Sequence, residues 1–259
     1  PHIKDAVILA LCSPQNPTGT TFTMEALEAI CDMVLEENKR RGAGEKKLYV
    51  LYDQMYWQLT YGDIRHYDPV SLRPQMKAYT VYIDAISKCF AATGVRVGWA
   101  MGPEAIMSKM KAILSHVGAW APMAEQKAVA RFLLQYDDIN NYLQHFKAEI
   151  SLRLQKIYNG FMRLKAEGLP VDAIAPQAAI YLTVRVTARG MKTTSEQLLE
   201  QQKDVTGYLL NEAGIALVPF YAFGASKDSS WYRLSVGACK KEEIDAMIEA
   251  LAQALRKLK

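Results

Sequence analysis

A lysine and an arginine follow the end of an apolar segment in the first half of the chain. The segment "YIDAISKCFAATGVRVGW" begins at Tyr82, with Lys88 directly after Ser87 and with Arg96 eight residues further on, in "RVGW". A lysine amine forms a Schiff base with a carbonyl compound when its neighbours lower its pKa. A serine hydroxyl and an arginine guanidinium together suit a phosphate group. We therefore predict that Lys88 is chemically active and that Arg96 binds the anionic end of the molecule held by the lysine.

Two other apolar segments also end in polar residues. "DAVILALCS" leads into "PQNPTG", which contains Asn16, and "KLYVLYD" ends at Asp53, with Tyr56 three positions on. The carboxyl ends of strands in an open parallel sheet form one edge, and ligands bind there. We expect these residues to lie at the same edge as Ser87 and Lys88. A pyridine-ring cofactor needs an acid beside its ring nitrogen, which Asp53 would supply, while the tyrosine and asparagine would hydrogen-bond a ring oxygen.

Strand and helix patterns alternate in the first half of the chain. Continuous apolar runs separated by helices are typical of strands buried on both faces of a parallel sheet. The sequence therefore predicts an α/β fold, in which a three-layer α/β/α, mostly parallel sheet is followed by a smaller α+β C-terminal domain. We place the large domain at residues 1–145 and the small domain at residues 146–259, joined through a long helix predicted over Asp137–Gly168.

The second half of the chain mixes short strand patterns with helices. We predict a helix from Ser195 to Ala213, a strand at "IALVPF" and a last helix from Lys240 onward. The last helix carries one apolar stripe, which we expect to pack against a sheet. That stripe comprises Ile244, Met247, Ile248, Leu251, Leu255 and Leu258.

Composition and charge limit the classes of function. The net charge of +4 comes from dispersed basic residues, which argues against nucleic acid as a partner. No segment is long and apolar enough for a membrane span, and no signal peptide is visible. The four cysteines show no CxxC pairing and the four histidines are scattered, so we predict no metal site. We expect a cytoplasmic protein with reduced thiols.

Six segments, taken in order, resemble the class I aminotransferases, which are pyridoxal-phosphate enzymes of fold type I. The segments are "NPTG", "DQMY", "SKCFAATGVRVGW", "PQAAIYL", "GIALVPFYAFG" and "WYRLSVG". Their order extends over nearly the whole chain, which is far more specific than any one motif.

The resemblance implies how these residues would hold pyridoxal 5'-phosphate. Lys88 would form the Schiff base with the cofactor and, once displaced by substrate, would shuttle the substrate proton. Asp53 would pair with the ring nitrogen, and Tyr56 and Asn16 would contact the ring hydroxyl.

The resemblance also implies an anion-binding role for three further residues. Ser87 and Arg96 would bind the cofactor phosphate. Arg233, in "WYRLSVG", would bind the substrate α-carboxylate through a two-pronged salt bridge, with help from Asn16. We expect Tyr181, in "AAIYL", to contribute packing rather than chemistry.

The function implied by the resemblance is transamination between an α-amino acid, with aspartate as the expected one, and a 2-oxo acid. The same residues would serve a lyase or decarboxylase of the same fold, because the surrounding geometry decides which bond at the α-carbon breaks. A third alternative is a non-catalytic fragment that only assembles with partners. Family members generally form homodimers, so we expect a homodimer.

Two departures from the family pattern stand out. Phe220 and Tyr221 occupy positions where glycine and a small polar residue are usual, so the pocket floor or the contact between domains would change. The "NPTG" motif begins at residue 16, whereas family members have a long preceding stretch with a phosphate-binding helix start. The chain also begins at Pro1 without an initiator methionine. We therefore expect a fragment that alone binds the cofactor weakly and turns over slowly.

Overall fold

The chain forms two compact units. A computed structural model describes residues 2–259, with side chains from Ile3 onward, so Pro1, the first residue of the predicted large domain, lies outside the described residues. The first unit comprises the described residues up to Gln15 together with Thr21–Gln144. The second unit comprises Asn16–Thr20 and His145–Lys259. The "NPTG" segment therefore belongs to the second unit, although its neighbours in sequence belong to the first.

The first unit contains a four-stranded sheet in the order β1-β2-β3-β4. Its strands are β1 (Ile8–Cys12), β2 (Tyr49–Asp53), β3 (Thr80–Ala85) and β4 (Gly98–Met101). The first three strands are parallel and β4 pairs antiparallel with β3. The mostly parallel sheet and its helices confirm the predicted α/β fold class. The carboxyl ends of β1, β2 and β3 consequently lie at one edge.

Helices lie between the strands of the first unit and follow its last strand. They are α1 (Met24–Arg40), α2 (Pro69–Leu72), α3 (Ile86–Cys89), α4 (Glu104–Val117) and α5 (Met123–Phe132), and α6 (Tyr136–Ala166) then leads into the second unit. The hydroxyl of Thr23 accepts a hydrogen bond from the backbone N–H of Ala26 at 3.2 Å, which caps α1 at its start. A core forms between α1 and β2, and its buried members are Leu27, Cys31, Val34, Leu48, Val50, Tyr52 and Met76.

The prediction that the strands are buried on both faces is wrong for β1 and β2. In β2, Val50 and Tyr52 are buried, but Tyr49 and Leu51 are only half-buried. In β1, Ile8 is 60% exposed. The alternation follows from the pleat of a strand, because α1 packs on the face that Val50 and Tyr52 share.

The second unit contains an antiparallel sheet in the order β5-β6-β8-β7. Its elements are β5 (Val171–Ala173), β6 (Tyr181–Val186), α7 (Gln202–Ala213), β7 (Val218–Pro219), β8 (Trp231–Ser235) and α8 (Ile244–Arg256). Arg233 in the middle of β8 pairs with Thr183 of β6 on one side and Val218 of β7 on the other. The predicted apolar stripe of the last helix is confirmed, with Ile244, Ile248, Leu251 and Leu255 buried.

Two predicted elements of the second unit are shorter than expected. The helix α7 begins at Gln202 rather than Ser195, because the side chain of Asp204 accepts from the backbone N–H of Gln201 at 2.8 Å and closes a capping box there. The predicted strand "IALVPF" is reduced to two residues. Pro219 has no N–H with which to extend the ladder, and Phe220 begins a short 3-10 helix.

Candidate active site

Asp53 lies at the carboxyl end of β2, between two neighbouring strands. The strand register aligns it with Cys12 at the end of β1 and with Ile83 of β3. Its Oδ1 accepts a hydrogen bond from the backbone N–H of Met55 at 3.1 Å, which closes the first turn after the strand. Tyr56, in the same turn, is only 3% exposed. Asp53 and Tyr56 therefore lie close in sequence and space at the carboxyl edge of the sheet.

Lys88 lies in α3, a single turn of helix that directly follows β3. The strand ends at Ala85, and the backbone N–H of Phe90 donates to the carbonyl of Ile86 at 3.2 Å to close the turn. Ser87 and Lys88 are both half-buried. The lysine is thus held by a helical turn at the strand end rather than by the strand itself.

Two hydrogen bonds join residues 83–89, which we call the Lys88 segment, to the loop after β2, residues 54–59, which we call the β2 loop. The backbone N–H of Gln54 donates to the carbonyl of Ile83 at 3.1 Å. The thiol of Cys89, which directly follows Lys88, donates to the carbonyl of Met55 at 3.5 Å. The predicted acid, tyrosine and lysine therefore belong to one locally bonded part of the first unit.

Arg96 returns to the same part of the first unit through a short 3-10 turn. Its Nη1 donates to the carbonyl of Thr93 at 2.8 Å, and the hydroxyl of Thr93 donates to the carbonyl of Ser87 at 3.4 Å. The backbone of Arg96 is left-handed, with φ of 60°, a conformation that residues other than glycine seldom adopt outside functional sites and turns. Because Arg96 is exposed, its guanidinium is accessible to an anionic ligand.

Arg233 and Asn16 are hydrogen-bonded to each other in the second unit. The Nη1 of Arg233 donates to the Oδ1 of Asn16 at 2.8 Å. The guanidinium carbon lies 4.7 Å from the ring centre of Tyr181 and 4.9 Å from that of Phe223. Within the described chain, the Nε of Arg233 is buried without a hydrogen-bond partner. An arginine fixed between two rings with an unused buried donor is suited to binding a carboxylate.

The "NPTG" segment is fixed against β6. Gly19 has φ of +71°, and a Cβ atom on it would lie 2.4 Å from the carbonyl oxygen of Tyr181. The carbonyl of Gly19 accepts from the backbone N–H of Ala178 at 2.9 Å, and the hydroxyl of Thr183 donates to the carbonyl of Thr18 at 2.8 Å. This close packing, which only glycine permits, places Asn16 beside Arg233.

The aromatic contacts of Arg233 were only partly predictable from the sequence. Tyr181 is buried, as expected of a packing residue, and its ring packs on the guanidinium. Phe223 was not identified as a site residue, although its place in the "FYAFG" segment was a usable signal. The ring of Phe220 lies 6.3 Å from that of Phe223 in a T-shaped contact. The unusual bulk at position 220 therefore packs on a ring that contacts Arg233.

Asp84 is a buried carboxylate within the Lys88 segment. The sequence analysis did not identify it as a site residue. It is 6% exposed, and its Oδ2 accepts a hydrogen bond from the indole Nε1 of Trp57 at 2.9 Å. Burial raises the pKa of Asp84 to about 6, against the opposing effect of its hydrogen bonds. The signal was an acidic residue inside an otherwise apolar strand, "TVYIDA".

The predicted site residues form two groups, one in each unit. Asp53, Tyr56, Ser87, Lys88 and Arg96 lie in the first unit, and Asn16 and Arg233 lie in the second. Among the side chains described, those of residues 3–259, no cluster of three or more histidine, cysteine, aspartate or glutamate residues could hold a metal ion. The chemistry that the two groups offer is that of an amine, an acid, a phenol and two arginines.

The chain is similar in sequence to curated aspartate aminotransferases. Over 218 residues the chain is 31% identical to an aspartate aminotransferase of Geobacillus stearothermophilus, covering 82% of the chain and 49% of that relative. It is 27% identical over 249 residues to an aspartate aminotransferase of Rhizobium meliloti, covering 96% of the chain and 56% of the relative. The chain thus spans about half the length of the curated relatives it matches.

Solved structures of aminotransferases have the same fold as this chain. An aromatic aminotransferase from Pyrococcus horikoshii OT3 superposes with a TM-score of 0.82 at 27% identity, covering 98% of the chain and 60% of that structure. The aspartate aminotransferase from Rhizobium meliloti superposes with a TM-score of 0.83 at 24% identity, covering 98% and 59%. The family model for aminotransferase class I and II matches residues 2–251. The chain therefore belongs to the class I and II aminotransferases, a family of pyridoxal-phosphate-dependent enzymes.

Proposed function

We propose that this chain carries the lysine, the ring-nitrogen acid and the carboxylate-binding arginine of an enzyme that moves an amino group between an α-amino acid and a 2-oxo acid. The main support is the hydrogen bonding that joins the Lys88 segment to the loop after Asp53. An amine, an acid and a phenol at one sheet edge are the groups that a pyridine aldehyde cofactor requires. In this proposal residues 1–145 form the cofactor-binding domain and residues 146–259 the small domain.

The donor set fits pyridoxal 5'-phosphate. Asp53 offers a carboxylate to the ring nitrogen, and Tyr56 a hydroxyl to the ring oxygen. Ser87 and Arg96, which are linked through Thr93, offer a hydroxyl and a guanidinium to the phosphate. When bound, the cofactor supplies an aldehyde that captures the substrate amine and a ring that withdraws electrons from the substrate α-carbon.

The side chains of this chain then have distinct tasks. Lys88 removes a proton from the substrate α-carbon and returns it during the transfer, which requires an amine held in place next to the reacting atoms. Asp53 keeps the ring nitrogen protonated through an ion pair. Asn16 accepts a hydrogen bond from the Nη1 of Arg233, and its amide would contact the ring oxygen of the bound cofactor. The Nη1 of Arg233 is bonded to Asn16, but its Nε has no partner within the described chain. In this proposal the arginine donates to the substrate α-carboxylate.

Aspartate is the amino acid that we propose as donor. The relatives reported above include two aspartate aminotransferases, and others are probable aspartate/prephenate aminotransferases of Rhizobium leguminosarum and Rickettsia species. A dicarboxylic substrate would place one carboxylate on Arg233.

We further propose a cytoplasmic homodimer. The four cysteines are thiols rather than disulfides, as a reducing compartment favours. No helix within residues 2–259 is both long and apolar enough to cross a lipid bilayer. The proposed dimer is supported by the dimerisation that is general in the family. Sedimentation velocity of the purified chain tests it. A sedimentation coefficient that stays at the monomer value at every protein concentration would contradict a dimer.

The test of the reaction is product analysis. The full chain is incubated with pyridoxal 5'-phosphate, labelled aspartate and 2-oxoglutarate, and labelled oxaloacetate, glutamate, ammonia and carbon dioxide are measured. We expect slow oxaloacetate formation that matches glutamate formation and is lost in Lys88→Ala but kept in Lys109→Ala, which changes an exposed lysine of α4. Predominant ammonia or carbon dioxide would instead support the lyase or decarboxylase alternative. Equal activity of the two variants would contradict a role for Lys88.

A further inference from the structure

Asp84 joins the two segments that carry the first-unit site residues. Its Oδ2 accepts from the Nε1 of Trp57 at 2.9 Å, and its Oδ1 accepts from the backbone N–H of Ala85 at 2.7 Å. Trp57 belongs to the β2 loop, whereas Ala85 is the last residue of β3, directly before α3. One carboxylate therefore joins the loop with Tyr56 to the end of β3, which leads directly into the turn with Lys88.

The charge of Asp84 is retained although burial disfavours it. Burial is the main cause that raises its pKa, and nearby Asp53 adds to the effect. The N–H groups of Trp57 and Ala85, which donate to its two oxygens, favour the ionised form and oppose this rise. A residue that served only to fill the space between β3 and the loop would not need a charge there.

A carboxylate can accept on both oxygens, and no neutral side chain of the same shape can. The amide of asparagine has one oxygen acceptor and one nitrogen donor. In Asp84→Asn, either the indole N–H of Trp57 or the backbone N–H of Ala85 would therefore face another N–H group. Hydrogen bonds to an ionised acceptor are also stronger than hydrogen bonds between two neutral groups.

We infer that Asp84 is a positioning residue that holds the β2 loop, and with it Tyr56, in register with the turn that carries Lys88. The catalytic meaning of this role rests on the proposed function, but the physical link between the two segments does not. If Asp84 only stabilised the fold in general, its replacement would loosen the whole first unit. A positioning residue acts on the β2 loop and α3 in particular.

Hydrogen exchange measured by mass spectrometry on the full chain tests this role without cofactor. In Asp84→Asn we expect amide exchange in the β2 loop and α3 to rise about tenfold, as expected for loss of one charged hydrogen bond, while α1 keeps its wild-type rates. Asp63→Asn is the matched control, because Asp63 is an exposed acid shortly after the same loop. It should change neither segment.

The indole N–H of Trp57 gives an independent readout by NMR. Its resonance is identified by its loss in Trp57→Phe, which removes the donor and keeps an aromatic ring. We expect this resonance to move in Asp84→Asn and to stay in Asp63→Asn. Trp57→Phe should itself loosen the same two segments, which keeps the inference testable if Asp84→Asn does not fold.

Two results would overturn the inference. One is an equal rise of exchange in α1, the β2 loop and α3, and the other is an unmoved Trp57 resonance in a folded Asp84→Asn protein. If both segments loosen but pyridoxal phosphate does not label Lys88 in the wild type, the proposed function fails and the positioning role of Asp84 is supported. The two failures are therefore distinguishable.

Discussion

Arg233 illustrates how much of the site depends on individual side-chain contacts. Its guanidinium lies over two aromatic rings, is held by Asn16 and retains a buried Nε without a partner in the described chain. A cation between aromatic faces is stabilised by them and loses little freedom when it binds a ligand. The residue type and the Asn16 contact could be predicted from the sequence. The ring contacts could not, because they depend on how the turn after β7 folds.

Replacing Arg233 by lysine tests the carboxylate-binding role. Lysine keeps the charge but loses the planar fork and the stacking surface. We expect KM for the amino acid to rise by about ten- to a hundredfold, as loss of a charged hydrogen bond of about 1.5–3 kcal/mol implies. Labelling of Lys88 by the cofactor should be unchanged, since Arg233 contacts only the substrate in our proposal.

Arg185→Lys is the control for this change. Arg185 also stacks on an aromatic ring, that of Trp231 at 5.1 Å, and pairs with Asp172 at 3.0 Å in the same sheet. We expect its replacement to leave KM unaltered. Similar increases of KM in the two variants would mean that the effect of Arg233→Lys comes from the sheet and not from the substrate.

His66 makes a prediction about acid stability. Burial lowers its pKa to about 4, and neither ring nitrogen has a hydrogen-bond partner in the described chain. Between pH 4 and 6.5 the unfolded chain binds more protons than the folded chain at this residue, so its contribution to stability is lost as the pH falls through that window. The contribution is at most about 3 kcal/mol. Asp84, whose pKa is raised, has the opposite dependence between its ordinary range and about 6.

We therefore expect His66→Phe to weaken the loss of stability between pH 6.5 and 4. The measurement is the urea midpoint of tryptophan fluorescence at several pH values in that range. His116→Gln, at an exposed position of α4, is the control and should keep the wild-type pH dependence. Parallel curves for wild type and His66→Phe would show that His66 is not buried in its neutral form.

At the scale of elements, the site depends on how strand ends and loops are joined. The parallel order of β1, β2 and β3 and the position of Lys88 after β3 follow from sequence pattern, because apolar runs and helical spacing are local signals. The helix α7 begins at Gln202 because of the capping box that Gln201 and Asp204 form. The segment before it is equally polar, so the sequence pattern did not show where the helix begins. Packing of the "NPTG" segment on β6 is a long-range contact, which a local pattern does not report.

Gly19→Ala tests that long-range contact. The new methyl group would require movement of the Tyr181 carbonyl, so the "NPTG" segment would separate from β6. The hydrogen bond between Asn16 and Arg233 would then be broken. Gly62→Ala is a matched control, since Gly62 has φ of +57° but open space around it. We expect the control to lose about 1–2 kcal/mol from the left-handed backbone alone, and Gly19→Ala to lose several kcal/mol more.

Thermal unfolding of both variants by circular dichroism provides the comparison. An equal decrease of Tm would mean that only backbone conformation matters at Gly19. A larger decrease for Gly19→Ala, together with a raised KM for the amino acid, would support the role of this segment in placing Asn16.

At the scale of the whole molecule, the sequence predicted the fold class and the family better than it predicted burial. Family membership rests on a match that extends over residues 2–251, a span that no single element contains. Burial of β1 was overestimated because an apolar run does not say which face another element covers. The buried charge of Asp84 was missed because its partners lie in a loop whose path depends on tertiary contacts.

The central claim is that Lys88 is the residue that reacts with pyridoxal phosphate, and borohydride trapping tests it most directly. The full chain is mixed with cofactor, reduced, digested and analysed by peptide mass, with Lys88→Ala and Lys109→Ala in parallel. We predict that the adduct accumulates on the peptide with Lys88 before any other lysine and is absent from that peptide in Lys88→Ala. An adduct spread evenly over exposed lysines, with Lys88 unlabelled, would contradict the account.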